Sequence, residues 1–162
     1  MEKDKSHARP RRHELNMKDL EKAKKYLCRR NLTLVIMKEG ETIFESTCRG
    51  ISGFLEAIER HGDCLRGSSL ADRIAGRAVA LLSVYVDAKA IYATILSRRG
   101  KEILDRHLVY YEHARLVDSI MDSERTELCH FEKLVEKVLD PVEAYEKLKE
   151  LYESLSRRKQ RC

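Results

Sequence analysis

The spacing of apolar positions changes several times along the chain, and each change marks an element. Leu20, Ala23 and Leu27 recur at helical spacing, predicting an amphipathic helix over about residues 17–29 with Asn16 as its cap. Residues 32–38 (LTLVIMK) are apolar on both faces and rich in branched side chains, the composition of a strand inside a sheet. Glu39-Gly40 then turns the chain into residues 41–47 (ETIFEST) as a hairpin. Phe54, Leu55 and Ile58 predict a second helix over about 53–61, stopped by Gly62. The longest periodic run follows. Ser68 and Ser69 precede residues 70–82, and Asp72 stands three after Ser69, the spacing of a capping box. One long helix is expected here, with Ala71, Ile74, Ala75, Ala78, Leu81 and Leu82 on an apolar arc and Asp72, Gly76 and Ser83 on a narrow stripe elsewhere.

Downstream, residues 89–96 read as a strand, Ser97 caps a helix to about Arg106, and residues 107–112 (HLVYYE) supply another strand. Residues 114–128 satisfy strand and helix periods about equally. Cys129 opens a helix with Phe131, Leu134, Val135 and Val138 on one stripe, and Asp140-Pro141-Val142-Glu143 starts a last helix that buries Tyr145, Leu148, Leu151, Tyr152 and Leu155. The order of elements predicts an α/β domain, a mixed sheet of four to five strands with helices on both faces.

Composition narrows the class. A chain of 162 residues that is 43% hydrophobic suits one soluble domain with a real core. Residues 16–156 are read as that domain, 1–15 as a basic, disordered tail and 157–162 as a second basic tail. No apolar run approaches the roughly 18 residues of a spanning helix and no apolar stretch near the start suits a signal peptide, so a cytoplasmic protein without a membrane partner is expected. Cys28, Cys48, Cys64, Cys129 and Cys162 are widely spaced with no CxxC pair, the pattern of reduced thiols. The net charge of +5 sits in the tails: Lys3, Lys5, Arg9, Arg11 and Arg12 at one end, Arg157, Arg158, Lys159 and Arg161 at the other. The body between them is slightly acidic, so any attraction for nucleic acid is expected to be weak and to act through the ends.

Candidate chemistry gathers on the long periodic run. A glycine inside a helix costs about 1 kcal/mol relative to alanine and is kept where something must come close, which draws attention to Gly76 and its neighbours. The amides at a helix start beginning at Ser68 and Ser69, with Asp72, Arg73, Gly76 and Arg77, form a candidate ligand-binding set able to hold an anionic group such as a nucleotide phosphate. A thiol at a helix start, Cys129, with Glu132 three later and Asp72, forms a candidate catalytic set of nucleophile and proton carriers.

These segments carry a resemblance. The order helix, hairpin, helix, GSSLADRIAGRAVALL, strand, helix, strand and the CHFE helix resembles the uncharacterised family known as domain of unknown function 1893, over residues 32–155. The resemblance rests most on Ala71-Asp72-Arg73 with Gly76-Arg77-Ala78, and on Cys129 with Glu132. Where the family usually has proline and methionine after the cysteine, this chain has His130 and Phe131. The resemblance implies a three-layer, cytidine-deaminase-like fold without the zinc motifs. Nucleoside deaminases hold zinc with a His or Cys at one helix start and a PCxxC pair at the next, and an HxE glutamate moves protons. By the resemblance, Asp72 falls near the HxE position and Cys129 and Glu132 near the PCxxC pair. Zinc needs about three protein ligands and this trio suits it poorly, so no metal and no cofactor are expected.

Three functions remain open to the sequence. The favoured one is a binding or regulatory module for a nucleotide or nucleoside-like small molecule. The second is a zinc-independent enzyme with Cys129 as nucleophile, and the third a nucleic-acid-associated protein acting through its basic tails. A homodimer is compatible with each.

Overall fold

The structure, a computed structural model, describes residues 11–160. Readings that concern residues 1–10, Arg161 and Cys162 lie outside them. In chain order the elements are α1 (Arg12–Arg29), β1 (Leu34–Lys38), β2 (Glu41–Ser46), α2 (Ser52–His61), β3 (Ser69–Ala75), α3 (Arg77–Tyr85), β4 (Ala90–Ser97), α4 (Arg98–Arg106), β5 (Tyr110–Val117), α5 (His130–Leu134) and α6 (Pro141–Gln160). The five strands form one sheet in the order β2-β1-β3-β4-β5. β1 is antiparallel to both β2 and β3, while β3, β4 and β5 run parallel.

The alternation of β1 splits its side chains between two cores. Leu34 and Ile36 join the larger cluster with Phe54, Leu70, Leu81, Ile91 and Leu104. Val35 and Met37 join the smaller one, where Ala71 and the Ala23 and Leu27 stripe of α1 cover the opposite face. Helices therefore lie on both faces, the three-layer α/β arrangement expected. The helix α6 adds a further shell by packing on α3, through Ala144 and Leu148.

The principal correction concerns the stretch expected to form one long helix. Residues Ser69–Ala75 are a strand, and the helix begins only at Arg77, with Gly76 as the residue before it. The strand is central: Leu34 to Met37 pair with it on one side and Ala90 to Leu96 on the other. Such a strand must be apolar on both faces, so Leu70, Ala71 and Ala75 mimic the arc of a helix. Ser68 and Ser69 consequently cap nothing. The Ser69 hydroxyl donates to the Asn16 carbonyl at 2.9 Å, and Asn16, expected as a cap, lies one turn inside α1, which starts at Arg12.

Other expectations fare variously. The hairpin turn forms with positive φ at Glu39 (52°) and Gly40 (82°), as a tight two-residue hairpin turn requires. Ser97 caps α4, its hydroxyl accepting the Gly100 amide at 3.0 Å. The undecided segment after Glu112 resolves into the second half of β5, followed by a loop closed by a Met121–Leu128 bridge. The predicted stripe from Phe131 to Val138 is a helix for only five residues. No helix among the described residues is long and apolar enough to cross a membrane.

Candidate functional site

Two backbone amides at the start of α3 point the same way, and a carboxylate from the far end of the chain meets both. Glu132 accepts from the Arg77 amide through Oε2 and from the Ala78 amide through Oε1, each at 2.9 Å. These are among the donors every helix start leaves without an intrahelical partner, and the helix dipole favours negative charge there. Glu132 is 5% exposed. Burial pushes its carboxyl above the ordinary range, and the Ala78 and Arg77 amides oppose the shift by holding the ionised form.

Arg77 returns the contact. Its buried guanidinium donates from Nε to the Val135 carbonyl at 2.8 Å and from Nη2 to the Val138 carbonyl at 2.7 Å, in the turns that follow α5. The acid of α5 thus satisfies the donors of α3 while the arginine of α3 satisfies acceptors beyond α5. The two segments clasp each other across more than 50 residues of chain.

This clasp explains Gly76 and Gly100. A Cβ on Gly76 would lie 2.5 Å from Glu132 Oε1 and 2.6 Å from its carboxyl carbon, so any side chain there displaces the carboxylate. The close approach that a glycine implies is therefore to Glu132. A Cβ on Gly100 would lie 2.8 Å from the Gly76 carbonyl oxygen and 3.2 Å from that of Ala75. Backbone cannot swing aside as a side chain can, and Gly100→Ala is expected to overpack α4 against the β3–α3 corner and cost about 2 kcal/mol. Chemical denaturation compares the two proteins, and a loss below about 0.5 kcal/mol would contradict this packing account.

The other sequence-predicted residues are engaged elsewhere. Asp72 sits inside β3, level with Leu34 and Ala93, two members of the larger core. Its Oδ1 accepts the Ile74 amide at 2.9 Å. Burial pushes its carboxyl from 3.8 up to about 7, and the Ile74 and Arg73 amides offset only part of that. Arg73 turns to the α1–β1 connection, donating from Nε to the Leu32 carbonyl at 2.6 Å and from Nη2 to Asn31 Oδ1. Ser68 is fully buried with a hydroxyl that finds no hydrogen-bond partner. Cys129 is half-buried at the residue before α5, its amide donating to the Ile120 carbonyl at 3.1 Å. Of the predicted set, the described contacts unite Gly76, Arg77 and Glu132, and tie Ser69, Asp72 and Arg73 to other partners. Among the described residues no three His, Cys, Asp or Glu side chains come together as a metal-holding group.

A cavity shares α5 with this clasp, through Phe131 next to Glu132. A cleft of about 670 Å³ is lined by Arg49, Ile51 and Ser52 from the β2–α2 corner, Phe131 from α5, and Tyr152, Leu155, Ser156 and Arg158 from α6. Its lining combines apolar and aromatic residues with two arginines and two serines. Arg49 is exposed, and its carbonyl accepts the Ser52 hydroxyl at 3.1 Å. Sequence reasoning placed Phe131, Tyr152 and Leu155 in the core and Arg158 in a tail, and did not single out Arg49. The available signal was an arginine standing just before a helix start, without any acidic residue in that helix's first turn.

The family model described as Domain of unknown function (DUF1893) matches residues 22–152. A solved DUF1893 family protein from Thermotoga maritima is 26% identical with a TM-score of 0.75, over 90% of this chain and 96% of that one. Lower similarity is found to the apo dCMP deaminase of cyanophage S-TIM5 (14% identity, TM-score 0.44, 65% of this chain and 99% of that one). It is also found to a diaminohydroxyphosphoribosylaminopyrimidine deaminase/5-amino-6-(5-phosphoribosylamino)uracil reductase from Thermotoga maritima (18% identity, TM-score 0.43, 76% of this chain and 40% of that one). A search of curated proteins returns no match.

Proposed function

The chain belongs to the DUF1893 family, and from that premise we propose that it is a zinc-free binding module for a nucleotide or nucleoside-like molecule, which it takes in the cleft beside α5 and α6. The observation that carries this reading is the cleft itself. Its volume of about 670 Å³ falls within the 300–1,000 Å³ range typical of small-ligand sites. Phe131 and Tyr152 offer ring surface for a base, Arg49 and Arg158 offer charge for a phosphate, and Ser52 and Ser156 offer hydroxyls for a sugar.

The start of α3, expected from the sequence as the anion site, is a poorer candidate because Glu132 already accepts its amides. A second anion there would face a buried carboxylate at close range. Catalysis through Cys129 receives less support for the same reason: both Glu132 oxygens are held by α3, and Asp72 is bound within its own strand.

Titration calorimetry with AMP and CMP tests the proposal. Saturable binding is expected, weakened about tenfold or more by Arg49→Glu, which turns a favourable charge into a repulsive one. Absence of binding for both nucleotides, or binding that Arg49→Glu leaves unchanged, would overturn it.

A further inference from the structure

The strand β5 forms one edge of the sheet, and among the described residues no backbone hydrogen bond from outside the sheet reaches it. The opposite edge is protected differently. There the register slips between Ile36 and Met37, so that Ile43 of β2 is an extra, bulged residue, a common means of spoiling an edge for further pairing. The eight residues of β5, YYEHARLV, instead read symmetrically in chemistry. Two aromatics and an acid precede the His113-Ala114 step, and a base and two aliphatics follow it.

The faces of β5 agree with that symmetry. Glu112 is level with Tyr92 and Ala71, on the α1 side of the sheet, and its Oε2 accepts Lys24 of α1 at 2.7 Å. His113 is level with Ala93, and Leu116 with Leu96 and Ala75, on the side of the larger core. A strict alternation from His113 would put Leu116 on the α1 side. The alternation therefore slips once, at Ala114, where the pairing with β4 is interrupted, and Arg115 shares the α1 side with Glu112. Residues directly opposite in an antiparallel pair must share a face.

We propose that β5 is the surface through which two copies of this chain associate, pairing antiparallel about a two-fold axis at the His113-Ala114 step. That register sets Glu112 opposite Arg115 of the second copy, Tyr111 opposite Leu116, and Tyr110 opposite Val117. The two-fold repeats each contact, so two acid–base pairs form per dimer. Tyr110 and Leu108, 44% and 91% exposed, would be covered next to the seam, and one sheet would run through both copies. Lys24 and the Tyr110 hydroxyl, the latter at 3.0 Å, hold the Glu112 carboxylate in place and keep it below its ordinary pKa.

Sedimentation of the full chain over a range of concentrations tests this, together with hydrogen exchange of the β5 amides at two concentrations. A dimer is expected for the parent, with β5 amides more protected at the higher concentration. Arg115→Glu, an exposed position, is expected to weaken association by about tenfold or more, because two favourable pairs become two repulsive ones. Glu112→Arg combined with Arg115→Glu should recover part of the loss. A monomeric parent, β5 exchange independent of concentration, a dimer indifferent to Arg115→Glu, or a double variant no tighter than the single one would each overturn the proposal.

Discussion

Glu132→Ala is expected to destabilise the protein by about 3–4 kcal/mol, from the unmet donors of Arg77 and Ala78. The carboxylate is 5% exposed and accepts both amides at 2.9 Å. Alanine leaves two buried N–H groups without acceptors, each costing about 1–3 kcal/mol, and removes one of the negative charges, with that of Glu102, that favour the buried Arg77 cation. Glu132→Gln separates these contributions. Its amide oxygen can accept one of the two N–H groups while its NH2 confronts the other, so a loss of about half that size is expected. Urea unfolding of the three proteins measures both differences. A loss below about 1 kcal/mol for Glu132→Ala would mean that the clasp between α3 and α5 contributes little.

Asp72→Asn is expected to stabilise the protein above pH 7 and to do so less and less as the pH falls towards 4. Burial raises the Asp72 carboxyl from 3.8 to about 7 in the folded chain. The folded state therefore binds a proton that the unfolded state has released, and stability declines as pH rises through that window. A tenfold difference in proton affinity between the two states is worth about 1.4 kcal/mol, so ionisation at pH 8 costs the fold on the order of 4 kcal/mol. Asparagine keeps an oxygen for the Ile74 amide and carries no charge, so it removes that cost. Melting curves of parent and variant at pH 4.5 and pH 8 give the comparison. Equal differences at the two pH values would show that Asp72 does not titrate in this range. No buried cation or second acid accompanies this cost in the described contacts of Asp72, whose partners are amides of its own strand.

The sequence was most legible where one period ran unopposed. The α1 stripe, the hairpin turn, the Ser97 cap and the Asp140-Pro141 start of α6, where Asp140 Oδ1 accepts the Val142 amide at 3.0 Å, depend on local chemistry and could be read locally. Residues 69–75 could not. A strand flanked on both sides in the sheet and covered on both faces loses its alternation, and Leu70, Ala71, Ile74 and Ala75 then fit a helical arc as well as they fit a strand. That one misreading moved the expected helix start seven residues upstream of Arg77 and turned Ser69, which tethers α1, into a cap. The resemblance to the family rests on Gly76-Arg77-Ala78 and on Glu132 as two separate motifs, and their relation was out of reach, because no spacing rule pairs a carboxylate with amides 54 and 55 residues earlier. The cleft was invisible for a similar reason: Arg49, Phe131 and Tyr152 come from three separate elements, and each by itself reads as an ordinary surface or core position.

The central claim is that the chain's own Glu132 fills the start of α3 and that ligands go to the neighbouring cleft. Amide chemical-shift mapping during a titration with CMP tests it most directly. The account predicts shifts concentrated at Arg49, Ser52, Phe131 and Tyr152, with the Arg77 and Ala78 amides unmoved. Shifts concentrated at Gly76, Arg77 and Ala78, with the cleft residues silent, would contradict it.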